Sequence, residues 1–128
     1  MTKTATILFL LAITSSACAV LPQAGVPRAT RDLLTPQEFP SDCHWAYQAI
    51  QRLRPRWLLA RGPVRAAPST EDYPQVVVDG MRMGDLRQLR SIPLEGVREM
   101  RFLSSGEATL RHGSGYPAGA IEVTMGGR

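Results

Sequence analysis

Long apolar runs are missing from this sequence. The one stretch that invites the description is "ATILFLLAI", nine residues from Ala5 to Ile13, and a membrane-spanning helix needs roughly 20. Extending it through Leu21 would bury Thr14, Ser15 and Ser16, which argues against an uncleaved anchor. Cysteine is almost as scarce. Cys18 and Cys43 are the only two, so a multi-bridge disulfide scaffold is excluded and no zinc-type ligand spacing exists. Lysine occurs once, at Lys3, and a Walker-type phosphate loop needs a lysine after its glycines. Charge of one sign is not abundant either. Beyond Lys3, fourteen arginines face eleven acids, an excess of only three. Mixed along the chain as they are, these charges do not make the basic patch of a nucleic-acid binder.

What the N-terminus does contain is an export signal. Lys3 supplies the positive region, Ala5 to Ile13 the apolar core, and "TSSACA" the small residues a signal peptidase needs, so residues 1–18 read as a signal peptide. Two cuts are open. "SSAC" resembles a bacterial lipoprotein box, which would make Cys18 the lipidated first residue of the mature protein; Ser15 stands where such boxes usually carry leucine. Cleavage after "ACA" would instead leave a soluble periplasmic protein. The difference matters, because one acyl chain holds a protein marginally and two or more hold it firmly. With Cys18 acylated or removed, Cys43 has no partner. A disulfide between them would require an intact Cys18 and an oxidising compartment.

Residues 19–40 carry Pro22, Pro27, Pro36 and Pro40 with little periodicity, and read as a disordered linker in which "RATRDLLTP" forms at most one helical turn. A domain is expected over 41–126. Ser41 is a suitable N-cap with Asp42 in the first turn, and Ala46, Ala49, Ile50 and Leu53 recur at helical spacing, so a helix is expected over 42–54 with Cys43 half-buried on it. Pro55 ends it and drives Arg54 out of helical geometry. Arg52, Arg54, Arg56, Arg61 and Arg65 form a basic run. It reads first as a solvated helix end and loop, and second as a surface for anionic headgroups or lipopolysaccharide phosphate.

From Tyr73 the pattern changes period. Gln75 to Val78 is a β-branched run suited to a strand buried on both faces. Asp79-Gly80 is a two-residue hairpin turn, since both residues accept positive φ, and Met81 to Met83 is the return strand. "DLRQLRSI" is a small helix with Leu86 and Leu89 on one face. Val97, Met100 and Phe102, with charges between them, make a strand solvated on one face. "SGEATLRHG" is a short helix closed by Gly113, and "GAIEVTM" is the last strand. The result is a small α+β domain of short strands and helices with one modest core.

Three stretches of this region, "YPQVVVDGMRM", "LRSIPLEGVREMRFLSSGEATLRHGSG" and "GAIEVT", resemble the plug domain of TonB-dependent outer-membrane receptors. That family has a strand ending in Asp-Gly, an Ile-Pro segment running to Ile or Val, a glycine turn, and a closing Gly-x-Ile-x-Val-Thr strand. Asp79, Gly80, Ile92, Pro93, Val97, Gly113, Gly119, Ile121, Val123 and Thr124 occupy those places in order, over residues 73–126. His112 replaces the usual aromatic before the glycine. The resembled receptors continue into a barrel whose strands each take about ten residues. This sequence holds no such segment and no evident TonB box, so energised uptake is not carried over. The resemblance implies a plug-like fold without the barrel, and an address in the outer membrane or periplasm.

No residue carries a catalytic assignment. Gly113, Gly115 and Gly119 have neither dinucleotide-binding nor Walker spacing, so no cofactor is expected. Ser114 lies two residues from His112, too near in sequence for a nucleophile and base to meet at one atom, and there is no G-x-S-x-G elbow. Glu95, Glu99 and Glu107 imply no paired acid site. The expectation is a non-enzymatic envelope lipoprotein acting as an interaction module on an outer-membrane barrel or another envelope protein, held to the membrane by its lipid and without nucleic acid. The alternative is a small periplasmic ligand carrier associated with transport. By analogy with receptor plugs, the contact loops are "MRMGD" and "HGSGYPAG", giving Arg82, His112, Ser114 and Tyr116 as contact residues. Asp79, Gly80, Gly113 and Gly119 are expected as structural turns, Cys18 as the lipidation site, and no metal site.

Overall fold

The computed structural model describes residues 31–61 and 67–127; the signal segment, Cys18 and Arg65 lie outside them. The chain forms a five-stranded mixed sheet with a helix on each face, a small α+β domain. The strands are β1 (Leu33–Leu34), β2 (Gln75–Val78), β3 (Met81–Gly84), β4 (Val97–Leu103) and β5 (Ala120–Met125). The helices are α1 (Ala46–Leu53) and α2 (Ser105–His112), with five short 3-10 turns among the described residues. The sheet order is β1-β4-β5-β2-β3. Only β2 and β5 run parallel, in the register Gln75 to Ala120 through Val78 to Val123; the other pairings are antiparallel.

Alternation along the central strands divides the apolar side chains between two faces. Val76, Met100, Phe102, Ile121 and Val123 join the larger core with Ala46, Ala49 and Ile50 of α1, Trp57, Leu89 and Ile92. Val77, Leu103 and Ala120 point the other way, to Ala108 of α2 and Tyr116. This is why three consecutive valines suit β2: both of its faces are covered. Ile50, Leu89, Met100, Ile121 and Val123 are fully buried, each contributing roughly 1.5–3 kcal/mol by removal from water.

β4 contains a register shift between Val97 and Glu99, opposite Met125 and Thr124. One extra residue, Arg98, is absorbed there. The bulge lets Val97 and Met100, three apart, reach the same core, which a regular two-residue period forbids.

Two boundaries depart from the sequence reading. Residues 33–39 are part of the domain rather than the linker. β1 pairs with β4 through Leu33 to Arg101 and Leu34 to Met100; Leu34 is fully buried, and Phe39 packs on the core. A two-residue strand offers no periodicity to read, and the prolines around it gave the opposite signal. The rest of the linker reading, residues 19–30, lies outside the described residues.

The first helix begins at Ala46, not at 42. Trp45 is its N-cap in extended geometry and bridges to Pro93. The Ala46 N–H donates to the Ile92 carbonyl (3.0 Å), and the Leu94 N–H donates to the His44 carbonyl (2.8 Å). These backbone bonds outweigh the local capping preference of Ser41. Gln48 takes over the cap, its Oε1 accepting from the N–H groups of His44 and Trp45. Cys43 therefore precedes the helix, as a free, half-buried thiol. Arg54 leaves helical geometry (φ −139°) before a 3-10 turn over Pro55–Leu58, as Pro55 requires.

Candidate interaction surface

Strand register assembles one row of residues across the face beneath α2. Leu33 faces Arg101, Arg101 faces Glu122, Glu122 faces Val77, and Val77 faces Arg82. Above this row stand Arg111 and His112, the basic last turn of α2, and Tyr116 from the following loop. Glu122 is the hub. Its carboxylate accepts from Arg111 at 2.7 Å, and His112 Nε2 lies 3.1 Å from its other oxygen. That second approach is misaligned for a hydrogen bond, and Nε2 is shut off from solvent.

The four expected contact residues are brought together here with unequal access. The Arg82 guanidinium lies over the Tyr116 ring, 4.7 Å from its centroid, and donates to the Gly115 carbonyl. Such a cation–π contact contributes roughly 0.5–1 kcal/mol at an exposed site. Tyr116 is buried beneath it, its ring 6.0 Å from that of His112. Ser114 stands exposed at the loop tip. Arg82, Tyr116 and His112 thus fix the conformation of the 113–119 loop, and Arg82 and Ser114 form its outer surface.

The structural glycines take the geometry the turns need. Asp79 (φ 47°) and Gly80 (φ 83°) link β2 to β3 with both residues at positive φ, as a type I′ turn demands. Gly113 (φ 86°) caps α2. Gly119 (φ 89°) lies where a Cβ would strike the Leu103 carbonyl oxygen.

Adjoining the row is a cleft of about 1080 Å³, at the C-terminal end of β4 and along α2. Arg61, Arg101 and Arg111 line it with Phe102 and Leu110. Sequence reasoning missed Glu122, Arg101 and Arg111 because they come from three separate elements. One local feature was legible: Ser104-x-x-Glu107 is a capping box. The Ser104 N–H and hydroxyl both donate to Glu107 Oε2, at 2.9 and 2.6 Å. They hold the Glu107 carboxyl below its ordinary range, with Arg111 and Arg101 adding to the effect.

Among the described residues no group of three or more potential metal ligands occurs, and no helix is long and apolar enough to cross a membrane. Comparison of the chain with protein-family models, curated proteins and solved structures gave no match.

Proposed function

We propose that this protein is a non-enzymatic interaction module of the bacterial cell envelope: exported, lipid-anchored through Cys18, and carrying a plug-like domain that docks on an outer-membrane barrel or another envelope protein. The observation that supports this reading is the parallel pairing of Gln75–Val78 with Ala120–Val123. The strand that ends in Asp-Gly and the closing Gly-Ala-Ile-Glu-Val-Thr strand are separated by some forty residues. They are the two ends of the plug-like segment, and they lie side by side in one sheet. The segment from Met81 to Asp85 and the 112–119 loop present the docking surface, with Arg82 and Ser114 outermost.

Crosslinking in intact envelopes followed by recovery of the protein tests the docking. A barrel or envelope protein recovered in stoichiometric yield, and lost when the loop from Gly113 to Gly119 is replaced, is the expected result. Recovery unchanged by loop replacement would move the surface elsewhere, and no partner at all would end the docking reading. Radioactive palmitate tests the address separately. Label on the native protein and none on Cys18→Ser is expected; an unlabelled native protein would remove the lipid anchor.

A further inference from the structure

We infer that the cleft beside α2 is an anion-binding site, built for a phosphate group carried on an apolar chain. None of its residues belongs to the Asp79-Gly80 turn or the 113–119 loop. The inference therefore stands whether the domain docks on a barrel or not.

The argument begins with Arg101. Its nearest acid is Glu99, 3.8 Å away, beyond hydrogen-bond range. Its Nε is sealed from solvent without an acceptor, yet the side chain as a whole remains 39% exposed and lines the cleft. A guanidinium offers five donors in a planar fork suited to phosphate oxygens. Among the described residues the loose pair with Glu99 is the only ion pair this guanidinium makes.

Two further guanidinium groups converge on the same space. The Arg61 guanidinium lies over the Phe102 ring, 4.1 Å from its centroid, and gives one N–H to the Arg56 carbonyl. The ring contact and the Arg56 carbonyl hold it in place. Arg111 is held by Glu122, which orients it along the cleft wall. Two acids, Asp32 and Glu107, also line the cleft beside the three arginines. The Glu107 carboxylate is turned back onto the Ser104 cap and away from the guanidinium groups.

The apolar element is Leu110. It is 91% exposed and lies on the cleft wall one residue before Arg111. A leucine this exposed beside three arginines matches a ligand whose anionic head enters the arginine fork and whose chain lies along α2. A phospholipid headgroup and a soluble organophosphate share this chemistry.

Calorimetric titration of the full chain with dodecyl phosphate, below its micelle concentration, tests the inference. Saturable one-to-one binding is expected. Arg101→Gln should weaken it about tenfold or more, as loss of a charge-assisted hydrogen bond implies, while Arg87→Gln, an exposed arginine outside the cleft, leaves it unchanged. Leu110→Ser guards against misfolding of the first variant, since so exposed a position cannot matter to the core. It should weaken dodecyl phosphate binding and leave inorganic phosphate binding as it was. Arg101-dependent binding to phosphatidylglycerol vesicles, and none to phosphatidylcholine, would name the headgroup as the source. Inorganic phosphate binding as tightly as dodecyl phosphate would name a soluble phosphate and remove the apolar chain from the inference. Equal binding of dodecyl maltoside, equal losses in Arg101→Gln and Arg87→Gln, or no saturable binding at all would overturn the site.

Discussion

The carboxylate of Asp79 accepts a hydrogen bond from the backbone N–H of Met125, 2.9 Å away and 46 residues along the chain. The Asp79 N–H in turn donates to the Val123 carbonyl at 3.0 Å. One turn residue thereby extends the parallel β2–β5 ladder past the end of the strand. Asp at this position does two jobs: it tolerates φ 47°, and it ties the hairpin to the closing strand. Asp79→Asn keeps the tolerance of positive φ and exchanges a charged acceptor for a neutral one, so it should cost well under 1 kcal/mol. Asp79→Ala loses both and should cost about 1–3 kcal/mol. Urea denaturation of the two variants tests both roles together; an Asp79→Ala no less stable than Asp79→Asn would mean that neither contributes.

The glycines of the 113–119 loop differ in what surrounds them. At Gly113 a Cβ would meet open space, so the cost of alanine is the backbone conformation alone (φ 86°, ψ −167°), about 1–3 kcal/mol. At Gly119 the same conformational cost is joined by a collision with the Leu103 carbonyl oxygen and the Phe102 ring. Backbone cannot move aside as a flexible side chain can. Gly119→Ala should therefore be the more destabilising of the two, by about 1–3 kcal/mol further. Thermal unfolding of both variants checks the order, and a Gly113→Ala that is the worse of the pair would contradict it.

Local chemistry was the legible part of this fold. Asp79-Gly80 announced its turn, and Val76 to Val78 announced a strand covered on both sides. The spacing of Val97, Met100 and Phe102 even carried the trace of the bulge at Arg98, for an odd step in a two-residue pattern needs an inserted residue. What stayed hidden depends on distant partners. His44 and Trp45 leave the helix because Leu94 donates to the His44 carbonyl, Ile92 accepts from Ala46 and Trp45 bridges to Pro93, a fact absent from residues 41–54 themselves. The Arg82–Tyr116 stack and the convergence of Arg61, Arg101 and Arg111 exist only once strand register is set. Of the four expected contact residues, Tyr116 is the buried support on which Arg82 rests.

Leu34 tests where the domain begins. It lies within the stretch the prolines mark as a linker, yet it is fully buried in the main core on the sheet's edge strand. Leu34→Ala should cost about 2–5 kcal/mol, the range for a core leucine. Leu59→Ala, at a leucine 60% exposed, should cost less than about 0.5 kcal/mol. Denaturant midpoints of the two variants decide the matter. A Leu34→Ala that unfolds like the native protein would return residues 33–39 to the tether.

The Ser104–Glu107 capping box makes part of the stability depend on pH, and its sign follows from the direction of the shift. The Ser104 hydroxyl and N–H hold the Glu107 carboxyl below its ordinary value of 4.5. A group whose folded-state value is depressed contributes stability above its unfolded value and loses it as pH falls through the folded one. At pH 7 the cap is complete, and Ser104→Ala should destabilise the protein by about 0.5–2 kcal/mol, the usual worth of an N-cap hydroxyl. Below about pH 4.5 the carboxyl begins to take up its proton, the reciprocal hydrogen bonds weaken in the native protein, and the variant has less left to lose. The gap between native and Ser104→Ala urea midpoints should therefore narrow between pH 5 and pH 3. In a Glu107→Gln background, where residue 107 can still accept from Ser104 but cannot titrate, Ser104→Ala should open a gap that does not change over the same range. If the native and Ser104→Ala midpoints stayed the same distance apart down to pH 3, the cap would be working through the hydroxyl and the Glu107 N–H alone, and the carboxylate would have no part in it.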